Sequence, residues 1–485
     1  MLREVLTNAL SEFESKQPVA DWMWQGWRPW PVLRMRIALS LHGERAVLGA
    51  PSFGGRLAAS LRWRRQRLRR FCGEKFLARP DRPADIVFLT LASRCQQLGR
   101  AWYNPVVDPW AEAFSEAGLR VSVWDRGDPH GLTHVSHASV QRALDLESRP
   151  QNQIQPGPTP EWFKTLADWV ADTFDADLGW PDFERDLWWV ENGARCFEAW
   201  LRRAAPKRVV LDCWYVRESM ALALAAHRLE IPVVDLQHGV QGHGHPAYAG
   251  WSPPPAGGYE VCPDHYWVWG AWDADSLIRN NPGAIAREDV SLAGQRWLSR
   301  WSEGVDPRHA PAIERVDRLR GGARAILVTL QPGVPIREAL ISLIAASPRE
   351  WRWWVRVHGR MRDDAKQLEA EFARATQRSV DVREATRLPL YALLRACSWH
   401  VTGFSTCALE ALAFGVPTLL LHPSGEHAYA DFVEQQVMWL HQSIDESLGL
   451  MNDADSERSV ACRRAGQSVF AEPASARLLS RGFST

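Results

Sequence analysis

The sequence predicts an α/β chain in which two Rossmann-like domains face a cleft, preceded by an N-terminal extension. Three observations carry this expectation. Buried-strand runs alternate with helical runs from residue 84 to about 440, the pattern of parallel sheets joined by crossover helices. At 485 residues the chain is too long for one ordinary core. Several strands also end in loops bearing His, Ser, Thr or Glu, at the carboxyl ends where ligands bind in such sheets.

The bulk composition narrows the function classes. Hydrophobic residues make up 46% and charged residues 24%, as in globular domains. Lys+Arg and Asp+Glu each total 57, so net charge gives no case for a nucleic-acid partner. The eight cysteines (72, 95, 196, 213, 262, 397, 407 and 462) form no CxxC pair. That argues against a zinc site or a disulfide framework and suits a reducing cytoplasm. The opening MLREVLTNALSEFESK is mixed and charged, unlike a signal peptide, and no run approaches the ~18 apolar residues of a membrane span.

Residues 1–80 read as an extension. DWMWQGWRPWPVLRMRI carries Trp22, Trp24, Trp27 and Trp30. RLAASLRWRRQRLRRF carries Arg56, Arg62, Arg64, Arg65, Arg67, Arg69 and Arg70 around a narrow apolar stripe. Two expectations follow: a peripheral membrane contact through residues 20–71, or helices docked on their own domain.

The N-terminal Rossmann-like domain, 81–295, begins with the strand DIVFLTL. A loop and a helix from 109 to about 117 follow, then the strand LRVSVWD. Residues 126–160 read as a long loop, and 161–204 as helical and Trp-bearing. KRVVLDCW, IPVVDLQHG, YWVWG and DVSLAG are further strands, with helices RESMALALAAHRL and DADSLIRN between them. Residues 296–322 form a connector. The second domain, 323–450, alternates ARAILVTLQP, REALISLIAA, WRWWVRVHG, DDAKQLEAEFARAT and LPLYALLRA before its most informative segment. Residues 451–485 are a helical tail.

That segment, VTGFSTCALEALAFGVPTLLLHPSGEHA at 401–428, reads as strand, small-residue turn, helix and second buried strand. The turn Gly403-Phe404-Ser405-Thr406 presents backbone N–H groups and two hydroxyls at a helix start, an arrangement that suits phosphate or carboxylate. Glu410 lies one turn further along the same face. Gly415 and Pro417 end the helix.

Two other strand-end loops carry chemistry. DLQHGVQGHGHPAY brings Gln237, His238, His243 and His245 together, and a neutral His238 is suited to general-base work. No carboxylate or cysteine stands at helical ligand spacing nearby, so no metal is expected there. VRVHGRMRDD places Arg356 and His358 at a strand end, where they suit a phosphate; a solvated basic rim is the other reading. In the first loop of the N-terminal domain, Asp108 is a rival base or else a helix N-cap before Pro109. Arg94 and Tyr103 are candidates for the acceptor side. Glu426 and His427 are candidates for the donor side or for a plain loop.

Together these loops resemble the GT-B-fold glycosyltransferases of bacterial surface-polysaccharide synthesis, above all Kdo and sialic-acid transferases and glycerophosphotransferases. The matching residues are Gln237-His238-Gly239, Arg356-Val357-His358-Gly359, Ser405-Thr406 and the Glu410-bearing LEALAFGVP. Gly359 stands where the family's His-Pro pattern has proline. The resemblance implies a metal-independent transferase that uses a nucleotide sugar, CMP-linked first, as substrate and no cofactor. Ser405, Thr406, Gly403, Arg356 and His358 would hold the donor phosphate, and Glu410 the ribose or sugar. His238 would deprotonate the acceptor, with Arg94, Tyr103, Gln237, His243 and His245 on the acceptor side. The acceptor would be a capsule or lipopolysaccharide glycan, free or lipid-linked, at the cytoplasmic face of the membrane. A CDP-glycerol-type glycerophosphotransferase and a non-catalytic scaffold of the same fold are the alternatives.

Overall fold

A computed structural model describes residues 3–41, 82–127, 133–141, 144, 157–241, 244–302, 307–453 and 456–480. The basic stretch 56–71 and His243 lie outside the described residues.

The strands in chain order are β1 (Ile86–Thr90), β2 (Gln96–Leu98), β3 (Ala101–Tyr103), β4 (Val121–Asp125), β5 (His137–Ser139), β6 (Arg208–Leu211), β7 (Val233–Leu236), β8 (His265–Val268) and β9 (Val290–Leu292). The second half supplies β10 (Ala325–Leu330), β11 (Arg352–Val357), β12 (Val380–Asp381), β13 (Trp399–Thr402), β14 (Thr418–Leu420) and β15 (Met438–Leu440). They form a seven-stranded sheet of order β5-β4-β1-β6-β7-β8-β9 and a six-stranded sheet of order β12-β11-β10-β13-β14-β15. Every pairing within both sheets is parallel. In each, strand order reverses beside the first strand, which creates the crevice of a doubly wound sheet. The chain is therefore α/β with two Rossmann-like domains, a GT-B-like arrangement.

Five strands escape the sequence reading. β5 lies within 126–160, where polar residues, Pro and Gly predict a loop, β12 and β15 are as short or shorter, and β2 and β3 fall in the loop expected after β1. β5, β12 and β15 each add at a sheet edge, where few apolar residues are needed. A two-stranded antiparallel hairpin, β2–β3, follows β1.

The extension is part of the N-terminal core. Helices Arg3–Lys16 and Trp30–Leu41 pack with helices Glu161–Phe174 and Trp180–Ala204. Trp22, Trp24, Trp27 and Trp30 are all buried. Trp22 stacks on Trp162 at 5.3 Å and meets Trp30 edge-on at 5.6 Å. These four rings are closed to lipid, which removes them from the membrane contact expected of residues 20–71. Among the described residues no helix is long and apolar enough to cross a membrane.

The connector is also ordered. Helices Arg296–Ser302 and Ala310–Arg320 place Trp297, Trp301 and Val316 in a core shared with Leu327, Trp354 and Tyr391 of the second domain. The tail then recrosses to the first domain. After helix Ser456–Val469, Ala471 N–H donates to Trp269 O at 2.9 Å and Ala474 N–H to Ala293 O at 2.9 Å. The crossing is close enough that a Cβ on Gly270 would lie 2.3 Å from Val469 O.

Candidate functional site

β7 delivers the first loop. Gln237 is buried and its side chain is engaged with backbone: Oε1 accepts Trp269 N–H at 2.6 Å and Nε2 donates to Gly239 O at 3.0 Å. It shapes the loop that presents the next residue, so its place is architectural and not on the acceptor side. His238 follows, with Nδ1 enclosed and without a partner. Burial first, then the charge of nearby Arg94, holds its pKa well below the usual value. The ring is thus neutral at physiological pH, the form a general base requires.

Two aromatic residues that the sequence reading passed over complete this wall. The Tyr215 ring lies 6.1 Å from His238 and 5.1 Å from His245, and Tyr248 lies 5.1 Å from His245. Beneath them Asp235 accepts from Tyr248 Oη at 2.9 Å, Gln241 Nε2 at 2.9 Å and Trp214 N–H at 3.3 Å. The loop is clamped from behind by the extension. Arg34, fully buried, donates to Pro246 O at 3.0 Å, Ala249 O at 2.7 Å and Gly250 O at 3.3 Å. Arg34 also pairs with Glu14, which accepts Ser252 N–H at 2.7 Å.

The first loop of the domain behaves differently from expectation. Arg94 Nε lies 3.0 Å from Asp212 Oδ2, and Arg126 Nη2 lies 3.1 Å from Asp212 Oδ1. This pairing sits at the crevice between β1 and β6, near His238. Tyr103 is fully buried: its hydroxyl donates to Glu112 Oε2 at 2.9 Å and accepts from Arg300 Nη1 at 2.7 Å. It joins the hairpin to the connector and does not line an acceptor surface. Asp108 is the first residue of helix Asp108–Glu116, with Val107 at the cap position. Its Oδ2 accepts Asn104 N–H at 2.8 Å and its Oδ1 meets His137 Nε2 at 2.8 Å. Asp108 is 0% exposed, so it is neither a helix cap nor open to an acceptor hydroxyl.

In the second domain, β13 runs into the turn at 403–406. Gly403 is demanded by packing, since a Cβ there would lie 2.7 Å from Val334 Cγ1. Phe404 N–H donates to Gln331 Oε1 at 3.0 Å, and Cys407 N–H donates to Ser405 Oγ at 3.3 Å. Of the turn's amides Phe404 is therefore engaged with Gln331, and the Ser405 hydroxyl is drawn to the start of the following helix. Tyr429 Oη fixes the turn by donating to Ser405 O at 2.8 Å.

Helix Cys407–Ala413 carries Glu410, which accepts the Tyr391 hydroxyl. That hydroxyl in turn accepts from Gln295 Nε2, at the end of the first domain, at 2.7 Å. Burial pushes the Glu410 carboxyl up to about 7. Arg356 Nη1 donates to the carbonyls of Ala385 at 3.0 Å, Thr386 at 3.2 Å and Leu388. It pins the 385–388 segment beneath the site, whereas His358, at the end of β11, is exposed. Glu426 and His427 are exposed on helix Pro423–Ala428.

The two walls meet. Val240 N–H donates to Thr406 Oγ1 at 3.2 Å, and a Cβ on Gly239 would lie 3.5 Å from the same oxygen. Trp272 Nε1 donates to Asp431 Oδ2 at 2.7 Å a short way along the same boundary. His238 and the Ser405-Thr406 turn, 167 positions apart by number, thus belong to one cleft.

No protein-family model matches the sequence. No curated protein sequence matches it. Among solved structures, the chain is similar to the UDP-GlcNAc 2-epimerase of Neisseria meningitidis bound to UDP-GlcNAc, at 11% identity and TM-score 0.49 over 82% of this chain and 98% of that one. It is also similar to the lipopolysaccharide outer core galactosyltransferase WaaB, at 12% identity and TM-score 0.42 over 82% and 99%. The wall teichoic acid polymerase TagF matches at 9% identity and TM-score 0.44 over 84% and 88%. With TM-scores below 0.5, these likenesses decide nothing about donor or reaction, and the fold assignment rests on the two sheets themselves.

Proposed function

We propose that the chain is a glycosyltransferase moving a sugar from a nucleotide-activated donor, CMP-linked first, to a surface-glycan or lipid-linked acceptor. The observation that carries this reading is the Val240–Thr406 hydrogen bond, which sets a neutral histidine beside an anion-suited turn across a cleft. In this proposal the Ser405 and Thr406 amides and hydroxyls hold the donor phosphate, with His358 at the neighbouring strand end. Glu410 exchanges Tyr391 for a hydroxyl of the donor ribose or sugar. His238 takes the proton of the acceptor hydroxyl, and its neutral ring supplies the lone pair. Preorganised N–H groups stabilise the leaving phosphate as charge develops on it. Asp108, closed behind His137, is given no proton-transfer role. A membrane contact of the extension, with Trp22, Trp24, Trp27 and Trp30 buried, would fall to the basic stretch 56–71.

The test is a titration of the chain's own tryptophan fluorescence with CMP, CDP, UDP, GDP and ADP in magnesium-free buffer. Saturable binding of one nucleotide, lost in Ser405→Ala/Thr406→Ala, is the expected result, and the base that binds names the donor class. CDP would point to an alditol phosphate donor. Binding by none of the five would remove the proposal.

A further inference from the structure

We propose that the N-terminal domain holds a divalent, thiophilic cation, zinc by its chemistry, between Cys95, Asp125 and His137. The three come from separate segments: the loop after β1, the end of β4 and the start of β5. Their ligand atoms all lie within 4.8 Å of one another. His137 Nδ1 stands 3.1 Å from Asp125 Oδ2. A tetrahedral zinc with sulfur at ~2.3 Å and nitrogen or oxygen at ~2.0–2.1 Å keeps its ligand atoms roughly 3.3–3.6 Å apart. Movements of about an ångström would close the present set around one ion.

Two further features point to the ion. Asp125 Oδ1 is enclosed without a hydrogen-bond partner of ordinary geometry, on a residue that is 0% exposed. The Ala92 backbone amide is the neighbour that reaches this carboxylate, and a cation would satisfy the sealed oxygen more fully. His137 is backed by a carboxylate on its other nitrogen, since Nε2 meets Asp108 Oδ1 at 2.8 Å. Asp108 is itself fixed by Asn104 N–H at 2.8 Å. That is the outer-shell arrangement that fixes a ligating imidazole, with Nε2–H donated to the carboxylate and the Nδ1 lone pair turned to the metal.

The cation would tie the loop after β1 to β4 and β5 at the sheet crevice. It would not touch the donor phosphate, so it stands or falls independently of the transferase reading.

Sequence spacing cannot show such a site, because its ligands span residues 95 to 137 with no paired motif. The test uses the full chain purified without chelator. Metal analysis is expected to find about one zinc per chain. Replacement by Co2+ is expected to give visible d–d bands with a thiolate charge-transfer band, and Cys95→Ser to lose the latter. Added zinc is expected to raise the melting temperature of the metal-stripped wild type and not of Cys95→Ser. Cys95→Ser changes one buried atom, so it keeps the test open should His137→Ala fail to fold. A metal-free chain whose melting temperature ignores zinc and which gives no cobalt spectrum would overturn the site. The cluster would then be a histidine held between two carboxylates.

Discussion

Val240 N–H donates to Thr406 Oγ1 at 3.2 Å across the boundary between the two Rossmann-like domains. One hydroxyl thus serves two proposed ends, holding the histidine loop in place and lining the phosphate turn. Thr406→Val keeps the shape and removes the acceptor. It is expected to cost about 1 kcal/mol of stability and about tenfold in nucleotide affinity, whereas Thr406→Ser stays near wild type. Urea denaturation and fluorescence titration of the two variants check this; equal behaviour of Val and Ser would mean that the hydroxyl does neither job.

Gly403 is set by crowding. With a Cβ placed 2.7 Å from Val334 Cγ1, Gly403→Ala is expected to destabilise the second domain by about 1–3 kcal/mol. Val334→Ala in the same chain should return much of that loss. Thermal melting of the single and double variants decides it, and a double variant no better than the single would place the strain elsewhere.

Glu410 gives the fold a pH dependence with a definite sign. Its folded pKa is raised from 4.5 to about 7, chiefly by burial. The folded chain therefore holds this proton more tightly than the unfolded chain. The resulting stability is complete below the unfolded value and is lost as pH rises through about 7. Relative to Glu410→Gln, wild-type stability should fall by on the order of 1–3 kcal/mol between about pH 5 and about pH 8. Denaturation curves at both pH values check it; parallel behaviour would show that Glu410 ionises normally.

Arg34 and Glu14 form a buried pair between the extension and the histidine loop, with side chains 0% and 1% exposed. Arg34→Met strands the Glu14 carboxylate and leaves three loop carbonyls without their donor, at a cost of about 3–5 kcal/mol. Adding Glu14→Gln removes the stranded charge and should recover part of it. Urea midpoints of both variants measure this. An unchanged midpoint for Arg34→Met would mean that the extension does not brace the loop.

Strand–helix alternation made the two sheets legible in the sequence, because a parallel strand buried on both faces is mostly apolar, as residues 86–89 and 325–328 are. The three chemistry-bearing loops were legible for a related reason: strands of that type deliver their loops to one end of the sheet. Side-chain destinations were not. Gln237, Tyr103 and Arg356 are polar residues in the expected loops, yet each is engaged with a neighbouring segment far along the chain. His137 and Asp125 were hidden because β5 is a three-residue edge strand with a polar start. The tryptophans at 22–30 left two readings open because aromatic residues beside arginines suit both an interface with lipid and a core, and only packing distinguishes the two.

The central claim is that the cleft between His238 and the Ser405-Thr406 turn is the donor site. A crystal of the chain with whichever nucleotide the titration selects tests it most directly. The account predicts the terminal phosphate on the Ser405 and Thr406 amides, with the leaving side directed toward His238 and Glu410 released from Tyr391. A nucleotide bound away from this turn, with the Tyr391–Glu410 bond intact, would contradict it.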